Sequence, residues 1–267
     1  MKKITIAVAF AVAVSLSSAA AERWNMFERR LRKTTMKKLV SAAIAVAISG
    51  GATAAASDVE CPVSENVRGH ENTEWSVAYA YGLADTTKDL PRVLLVGDSI
   101  CRGYQGGVRE LLKGRMNVSY WISSYCVTSA AYLPLLTVYL DEAKYDVIHF
   151  NNGLHSLGTP TAAYEKGICR AFALIREKQP DAKLVWCTST PLTNEVKTAK
   201  CRELNAAATK IVAELGGITT NDLFSLLDPL DRTANWSDEY HHREAVQKKE
   251  AEQVATSVLS AHEGASK

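Results

Sequence analysis

Three side chains in this 267-residue sequence have the types and settings that acyl chemistry needs. Ser99 follows Leu94-Leu95-Val96-Gly97-Asp98 and precedes Ile100-Cys101-Arg102-Gly103, so a strand delivers a hydroxyl to a turn that opens into a helix. There the hydroxyl sits beside backbone N–H groups and the positive end of a helix dipole, a nucleophile's setting. On this segment alone an alternative stands: Asp98 or Ser99 serves only to cap the helix. The lipase-type G-x-S-x-G elbow does not apply, because Cys101 occupies the place of its second glycine. A serine hydroxyl needs a base, and the imidazole of that base needs a group to hold its tautomer. Asp238-Glu239-Tyr240-His241 offers both just before the last helical stretch, although Asp238 also reads as a surface carboxylate. His242 beside His241 raises the question of a metal. Adjacent histidines point apart and no carboxylate–histidine ladder at ligand spacing accompanies them, so no metal is expected.

The elements that must position these groups are legible in the hydrophobic pattern. From residue 91 the chain alternates short β-branched apolar runs with longer helical patterns, which predicts βαβ units around a parallel sheet. Strands are expected at 92–96, 118–122, 146–151 and 183–188, with a weaker one at 218–220. Continuous runs such as Val93-Leu94-Leu95-Val96 suit strands covered on both faces. Helices are expected over 161–178, 194–215 and 244–259. In the second, Leu204, Ala208, Ile211 and Leu215 form one stripe, and Gly216-Gly217 stops it; in the third, Ala251, Val254 and Val258 share a face. Residues 57–90 lack clear periodicity and read as an ordered extension that wraps the domain. Ligands of an open parallel sheet bind outside the carboxyl ends of its strands. That rule singles out Gly97-Asp98-Ser99, residues 123–129, residues 151–156 and Ser189-Thr190.

These residues carry a resemblance. Pro91-Arg92-Val93-Leu94-Leu95-Val96-Gly97-Asp98-Ser99-Ile100, then Asn152-Gly153-Leu154-His155, then Asp238-x-x-His241, in that order, resemble the SGNH subgroup of the GDSL hydrolases. The likeness spans roughly residues 66–260 and takes in Glu71-Asn72-Thr73-Glu74-Trp75-Ser76. It implies a flavodoxin-like three-layer α/β/α sandwich with a central parallel sheet of about five strands, and cofactor-free ester hydrolysis. Ser99 then matches the nucleophile, His241 the general base and Asp238 the group that orients it. The family's oxyanion hole uses the nucleophile's N–H, a glycine of the second block and an asparagine of the third. Here His155 stands where that asparagine belongs, and Ser124-Tyr125-Cys126-Val127-Thr128-Ser129 contains no glycine. The candidate donors are therefore the Ser99 N–H, the His155 ring, a backbone N–H of Cys126 or Val127, and the neighbouring Asn151 or Asn152. Loss of one such donor costs about 10²–10³ in rate.

Asp98, Asn72, Glu74 and Trp75 are candidate substrate-binding residues, and Tyr79, Tyr81, Trp121, Asn151 and Trp236 could join them in a sugar-binding cleft. Ordinary packing is the competing account of each aromatic. The functional expectation is an exported serine esterase that removes small acyl groups, acetyl above all, from carbohydrate. The alternative is a catalytically silent carbohydrate-binding protein on the same fold.

Composition narrows the partners. The chain is 47% hydrophobic and 22% charged with a formal charge of +2, ample for one sizeable core. Residues 1–56 hold nine Lys/Arg and two Asp/Glu, which leaves 22 basic against 27 acidic residues, a net −5, in the remainder. Such a body lacks the cationic field that nucleic acid or anionic lipid requires. Met1-Lys2-Lys3 with the apolar run to Val14 and Ala19-Ala20-Ala21 reads as a secretory signal, and Met36-Lys37-Lys38 with the run closing at Ala54-Ala55-Ala56 repeats it. Translation from Met36, cleavage, and no stable membrane span afterwards are the expectations, with a periplasmic or extracellular destination; a genuine N-terminal anchor is the alternative. Domain boundaries follow: a signal-like region over 1–56, the extension over 57–90 and the hydrolase-like domain over 91–267. Six cysteines, none in a C-x-x-C pair, permit disulfides in that compartment, and Cys101 with Cys126 is the candidate pair if their loops flank one pocket. Oligomeric state is not readable from one chain.

Overall fold

The computed structural model describes residues 73–80 and 89–264, all within one compact unit, Cys61–Lys267. The two signal-like segments, Cys61, Asn72, Tyr81 and most of the extension lie outside the described residues. The elements in chain order are β1 (Ser76–Tyr79), β2 (Arg92–Gly97), α1 (Ser99–Leu111), β3 (Asn117–Ser123), α2 (Tyr132–Leu140), β4 (Val147–Phe150) and a single 3₁₀ turn (Leu154–Ser156). There follow α3 (Thr161–Lys178), β5 (Lys183–Cys187), α4 (Glu195–Leu215), β6 (Ile218–Asn221), α5 (Leu223–Leu227), α6 (Arg232–Asn235) and α7 (Glu244–Glu263). The strand order is β1-β3-β2-β4-β5-β6. The five strands from β2 onward are parallel and follow the flavodoxin-like order.

Strand alternation divides the core into two layers. Val93 and Leu95 of β2 face α1 and α7, where Tyr104, Val108, Ala251, Val254 and Val258 pack. Leu94 and Val96 face the opposite side, filled from α2, α3 and α4 by Tyr132, Leu136, Tyr164, Phe172, Leu204 and Ala208. The predicted α/β/α sandwich is thus observed, and each of the valine, leucine and phenylalanine side chains among these contributes about 1.5–3 kcal/mol by leaving water. Helix α7 lies close against α1 because Gly107 has no side chain: a Cβ there would come within 2.7 Å of the Ala251 Cβ. Helix α4 ends as expected at Gly216, whose φ of 63° is open to glycine and costly for other residues.

Three expectations need correction. The extension contributes a sixth strand, β1, which pairs antiparallel with β3 at the sheet edge. Its four residues are all exposed, so no buried face marks it in the sequence. Leu215, expected in the buried stripe of α4, is 36% exposed because the helix ends there. Cys101 and Cys126 are unbridged. Cys101 turns under α1 into the core, where burial pushes its thiol up to about 12, and the Cys126 Sγ contacts Thr128 Oγ1 at 3.2 Å.

His149 of β4 is the polar exception in the core. It is fully buried, meets the Tyr104 ring edge-on, and its Nε2 lies 3.0 Å from the Asn221 side-chain amide. The amide nitrogen can only donate, so Nε2 accepts and the ring is neutral. Burial lowers its pKa from 6.5 to about 3. The unfolded chain therefore binds a proton below pH 6.5 that the folded chain refuses, and stability falls with pH from 6.5 toward 3. His149→Gln, which keeps an acceptor without a titrating ring, is expected to remove up to about 1.4 kcal/mol per pH unit of that slope. Urea unfolding of both proteins between pH 4 and about 7 checks it, with no change in slope as the contrary result.

Candidate active site

The site lies at the carboxyl ends of β2 and β4, where the strand order reverses. Strand β2 runs straight into α1, and Asp98 caps that helix: its Oδ1 accepts the Ile100 N–H at 2.9 Å. Ser99 is therefore the first helical residue, half-buried, with an N–H that a helix cannot satisfy internally. Both sequence readings hold at once, the cap falling to Asp98 and the exposed hydroxyl to Ser99. Asp98 is consequently not a substrate contact, since it is only 4% exposed and engaged in the cap.

The loop between α6 and α7 brings the other two groups. Trp236 and His242 form a short antiparallel bridge, and Ser237 N–H donates to the His241 carbonyl at 2.8 Å, so the residues between them form a tight loop. Asp238 turns back within it, its Oδ1 accepting the N–H groups of Tyr240 and His241, each at 2.8 Å. Its Oδ2 lies 2.8 Å from His241 Nδ1, and His241 Nε2 lies 2.8 Å from Ser99 Oγ. Partial burial works to raise the Asp238 pKa, but the two backbone donors and the His241 side chain outweigh it and hold the carboxyl at about 2. An ionised Asp238 requires Nδ1 to carry the proton, which leaves Nε2 as the acceptor facing Ser99. The loop is also fastened to α4 by Lys197, which pairs with Glu239 at 3.0 Å and bonds the Tyr240 hydroxyl.

The expected oxyanion donors separate into two groups. Asn151 spends its amide on the Cys187 carbonyl (2.7 Å) and Ser189 Oγ (3.0 Å), so it is not available. Asn152 is a brace: its Oδ1 accepts the Val127 N–H at 2.9 Å and the Ser156 hydroxyl at 2.8 Å, and its amide donates to the Tyr125 carbonyl at 2.9 Å. That removes Val127 from the candidates and Asn152 with it. The backbone N–H groups of Ser99 and Cys126 are not spent on protein acceptors among the described residues. His155 sits half-buried on the 3₁₀ turn with its ring edge-on to Trp75, centroids 6.1 Å apart.

The 73–80 segment is locked to the second block. Ser124 Oγ donates to Glu74 Oε2 at 2.6 Å and accepts the Trp75 N–H at 2.8 Å, and Ser124 N–H donates to the Trp75 carbonyl at 3.0 Å. Glu74 is thus held as a strut, and Trp75 is placed against His155. Ser124 fell within the residues 123–129 that the strand-end rule singled out, but its tie to Glu74 and Trp75 left no mark in the sequence. Two aromatics offered for a sugar cleft are core residues instead: Trp121 is fully buried and donates to Ser76 Oγ, and Trp236 is 3% exposed and donates to the Pro191 carbonyl. Tyr79 is exposed on the edge strand beside Tyr120.

No protein-family model matches the sequence, and no curated protein matches it. Solved structures match the fold. A lipolytic protein of the G-D-S-L family from Veillonella parvula superposes with a TM-score of 0.52 at 18% identity, over 62% of this chain and 96% of that one. A carbohydrate esterase of family 3 from Talaromyces cellulolyticus gives 0.54 at 13% identity, over 66% and 99%. A mutant acetyl esterase with an acetate ion gives 0.55 at 12% identity, over 66% and 100%. The chain spans 63% of the length of a family two carbohydrate esterase from Clostridium thermocellum. At these identities the likeness is one of fold, which this chain shares with GDSL proteins and carbohydrate esterases.

Gly153, ahead of the 3₁₀ turn, lies directly against β5's extension: a Cβ there would fall 1.8 Å from Ser189 Oγ and 2.8 Å from its Cβ. Because Ser189 Oγ accepts from Asn151, Gly153→Ala is expected to push this pair apart and to destabilise the fold by about 1–3 kcal/mol. A denaturant midpoint equal to that of the parent would refute the close packing.

Proposed function

We propose that the chain is a serine hydrolase of the SGNH/GDSL type, exported, that removes small acyl groups, acetyl above all, from carbohydrate esters. The observation that carries the reading is the relay of Ser99, His241 and Asp238, with 2.8 Å between hydroxyl and imidazole and 2.8 Å between imidazole and carboxylate. In the proposed reaction Ser99 Oγ attacks the ester carbonyl while His241 Nε2 takes its proton. The tetrahedral oxyanion rests on the Ser99 and Cys126 N–H groups and on a ring N–H of His155. His241 then protonates the departing alcohol, and the acyl-enzyme is opened by water that His241 activates. Acid and base roles alternate on one imidazole, so the chemistry balances without a cofactor.

The structural neighbours named as an acetyl esterase and a carbohydrate esterase support the choice of substrate class. Trp75, pinned beside His155, supplies an aromatic face on which a pyranose ring could stack. Export is supported by the two signal-like segments. A catalytically silent carbohydrate-binding protein is the competing reading, motivated by His155 in the asparagine's place and by the absent glycine in the second block.

Ser99→Ala is expected to lower kcat/KM for p-nitrophenyl acetate by about 10⁴ or more, and Asp238→Asn by about 10²–10⁴. Equal hydrolysis by parent and Ser99→Ala would favour the silent reading. Acetate release from acetylated xylan, pectin and peptidoglycan fragments then selects the acceptor. Because Asp238 titrates at about 2, the carboxylate stays ionised through the working range. Asp238→Asn should therefore lower the plateau of the pH–rate profile, and a profile whose only change is a lost acid limb would contradict the assigned roles.

A further inference from the structure

His242, the neighbour of the proposed base, has no part in the relay and points the other way. Its side chain is 1% exposed, and its Nδ1 lies 3.0 Å from Oε1 of Glu250, whose side chain is 0% exposed. The approach is within ion-pair range without the alignment of a directed hydrogen bond, and neither side chain has another hydrogen-bond partner among the described residues. The His242 ring is held edge-on by Trp236, centroids 4.7 Å apart at 90°, and its carbonyl accepts from Gln247 of α7 at 2.8 Å. Burial pushes the Glu250 pKa up, and His242 opposes that push.

A buried acid–imidazole pair is an expensive way to stabilise a core, since apolar side chains of equal volume often do as well or better. What the pair supplies is direction. In an extended stretch consecutive side chains point to opposite sides, so drawing His242 inward onto α7 turns His241 outward toward Ser99. The loop's remaining side-chain ties, such as Lys197 with Glu239, are between partly exposed groups, and contacts of that kind are weak.

We propose that His242 and Glu250 form a buried latch that fixes the Asp238–His241 loop on α7 and thereby sets the reach of His241 to Ser99. They are positioning residues. The inference deepens the esterase reading and rests on it for its kinetic consequences, while its structural content stands apart from any activity.

The test uses the full chain in three variants: Glu250→Gln, which keeps size and a bonding partner; Glu250→Leu; and the double variant His242→Leu/Glu250→Leu, in which no buried charge is left to unfold the protein. The latch predicts that amide exchange at Ser237 and His241 rises about ten-fold or more in both leucine variants while that of β2 is unchanged. It also predicts that the rate of Ser99 labelling by a fluorophosphonate, and kcat on p-nitrophenyl acetate, fall about 10–100-fold with KM within about two-fold. Glu250→Gln should restore most of both. Wild-type exchange and labelling in the folded double variant would overturn the latch, as would a loss of thermal stability with unchanged kcat per folded molecule. Absence of Ser99-dependent labelling in the parent would instead defeat the esterase reading, and the exchange rates would still decide the latch.

Discussion

The hydrogen bond between His241 Nε2 and Ser99 Oγ joins residues 142 apart in sequence. Such a bond contributes about 0.5–1.5 kcal/mol net, whereas fixing one residue's backbone costs about 1–2 kcal/mol. It cannot draw its partners together. The contact exists because α7 is already seated on α1 over an apolar face, with Gly107 letting the helices close on Ala251. The site is in this sense a by-product of core packing, and its geometry is as good as the seating of α7.

Two acid–histidine pairs lie within one short stretch, and they differ in the way they are held. Asp238 is 54% exposed at its side chain and His241 43%, so solvent screens their attraction. Their alignment comes from the Asp238 carboxylate being fixed by two backbone N–H groups of its own loop. The loop thus orients the carboxylate before the imidazole arrives, and the carboxylate orients the imidazole. His242 and Glu250 are the reverse case: both are out of water, and each has only the other. An exposed partner that stays ionised suits a group proposed to exchange protons, and a sequestered partner suits one that must stay in place.

The parallel strands and the long helices were legible because each is buried along a regular stripe or on both faces. Arg92–Gly97 and Thr161–Lys178 read directly from apolar spacing. Strand β1 was not legible, since an exposed edge strand buries no face and owes its place to pairing with β3 and to Ser124. The groups of the relay were visible as residue types at turn positions, and the resemblance put them in order. The oxyanion candidates were not resolved by sequence, because a motif names an amide without saying which carbonyl it already serves; Asn151 and Asn152 were spent elsewhere. Glu250 did leave a signal: it shares the spacing of Val246, Val254 and Val258, all buried on α7. A carboxylate on a core stripe demands a partner.

The unusual second and third blocks make a coherent alternative to the familiar pattern once Asn152 is seen as a brace. Its side chain ties Val127, Tyr125 and Ser156 together, so the second block is shaped by an amide from the third. With the Val127 N–H committed, the Cys126 N–H is a second-block donor with no protein acceptor among the described residues, and a backbone donor is indifferent to its own side chain as long as the approach is open. Cys126 keeps its Sγ turned to Thr128, where burial accommodates a small thiol. The replacement of an asparagine amide by the His155 ring then exchanges a donor that is always available for one whose availability follows its tautomer. Trp75, edge-on to that ring, and Ser124, which holds Trp75 in place, connect the outermost described segment to the imidazole. The extension, which showed no periodicity in the sequence, is therefore the segment that bears on how a developing oxyanion would be received.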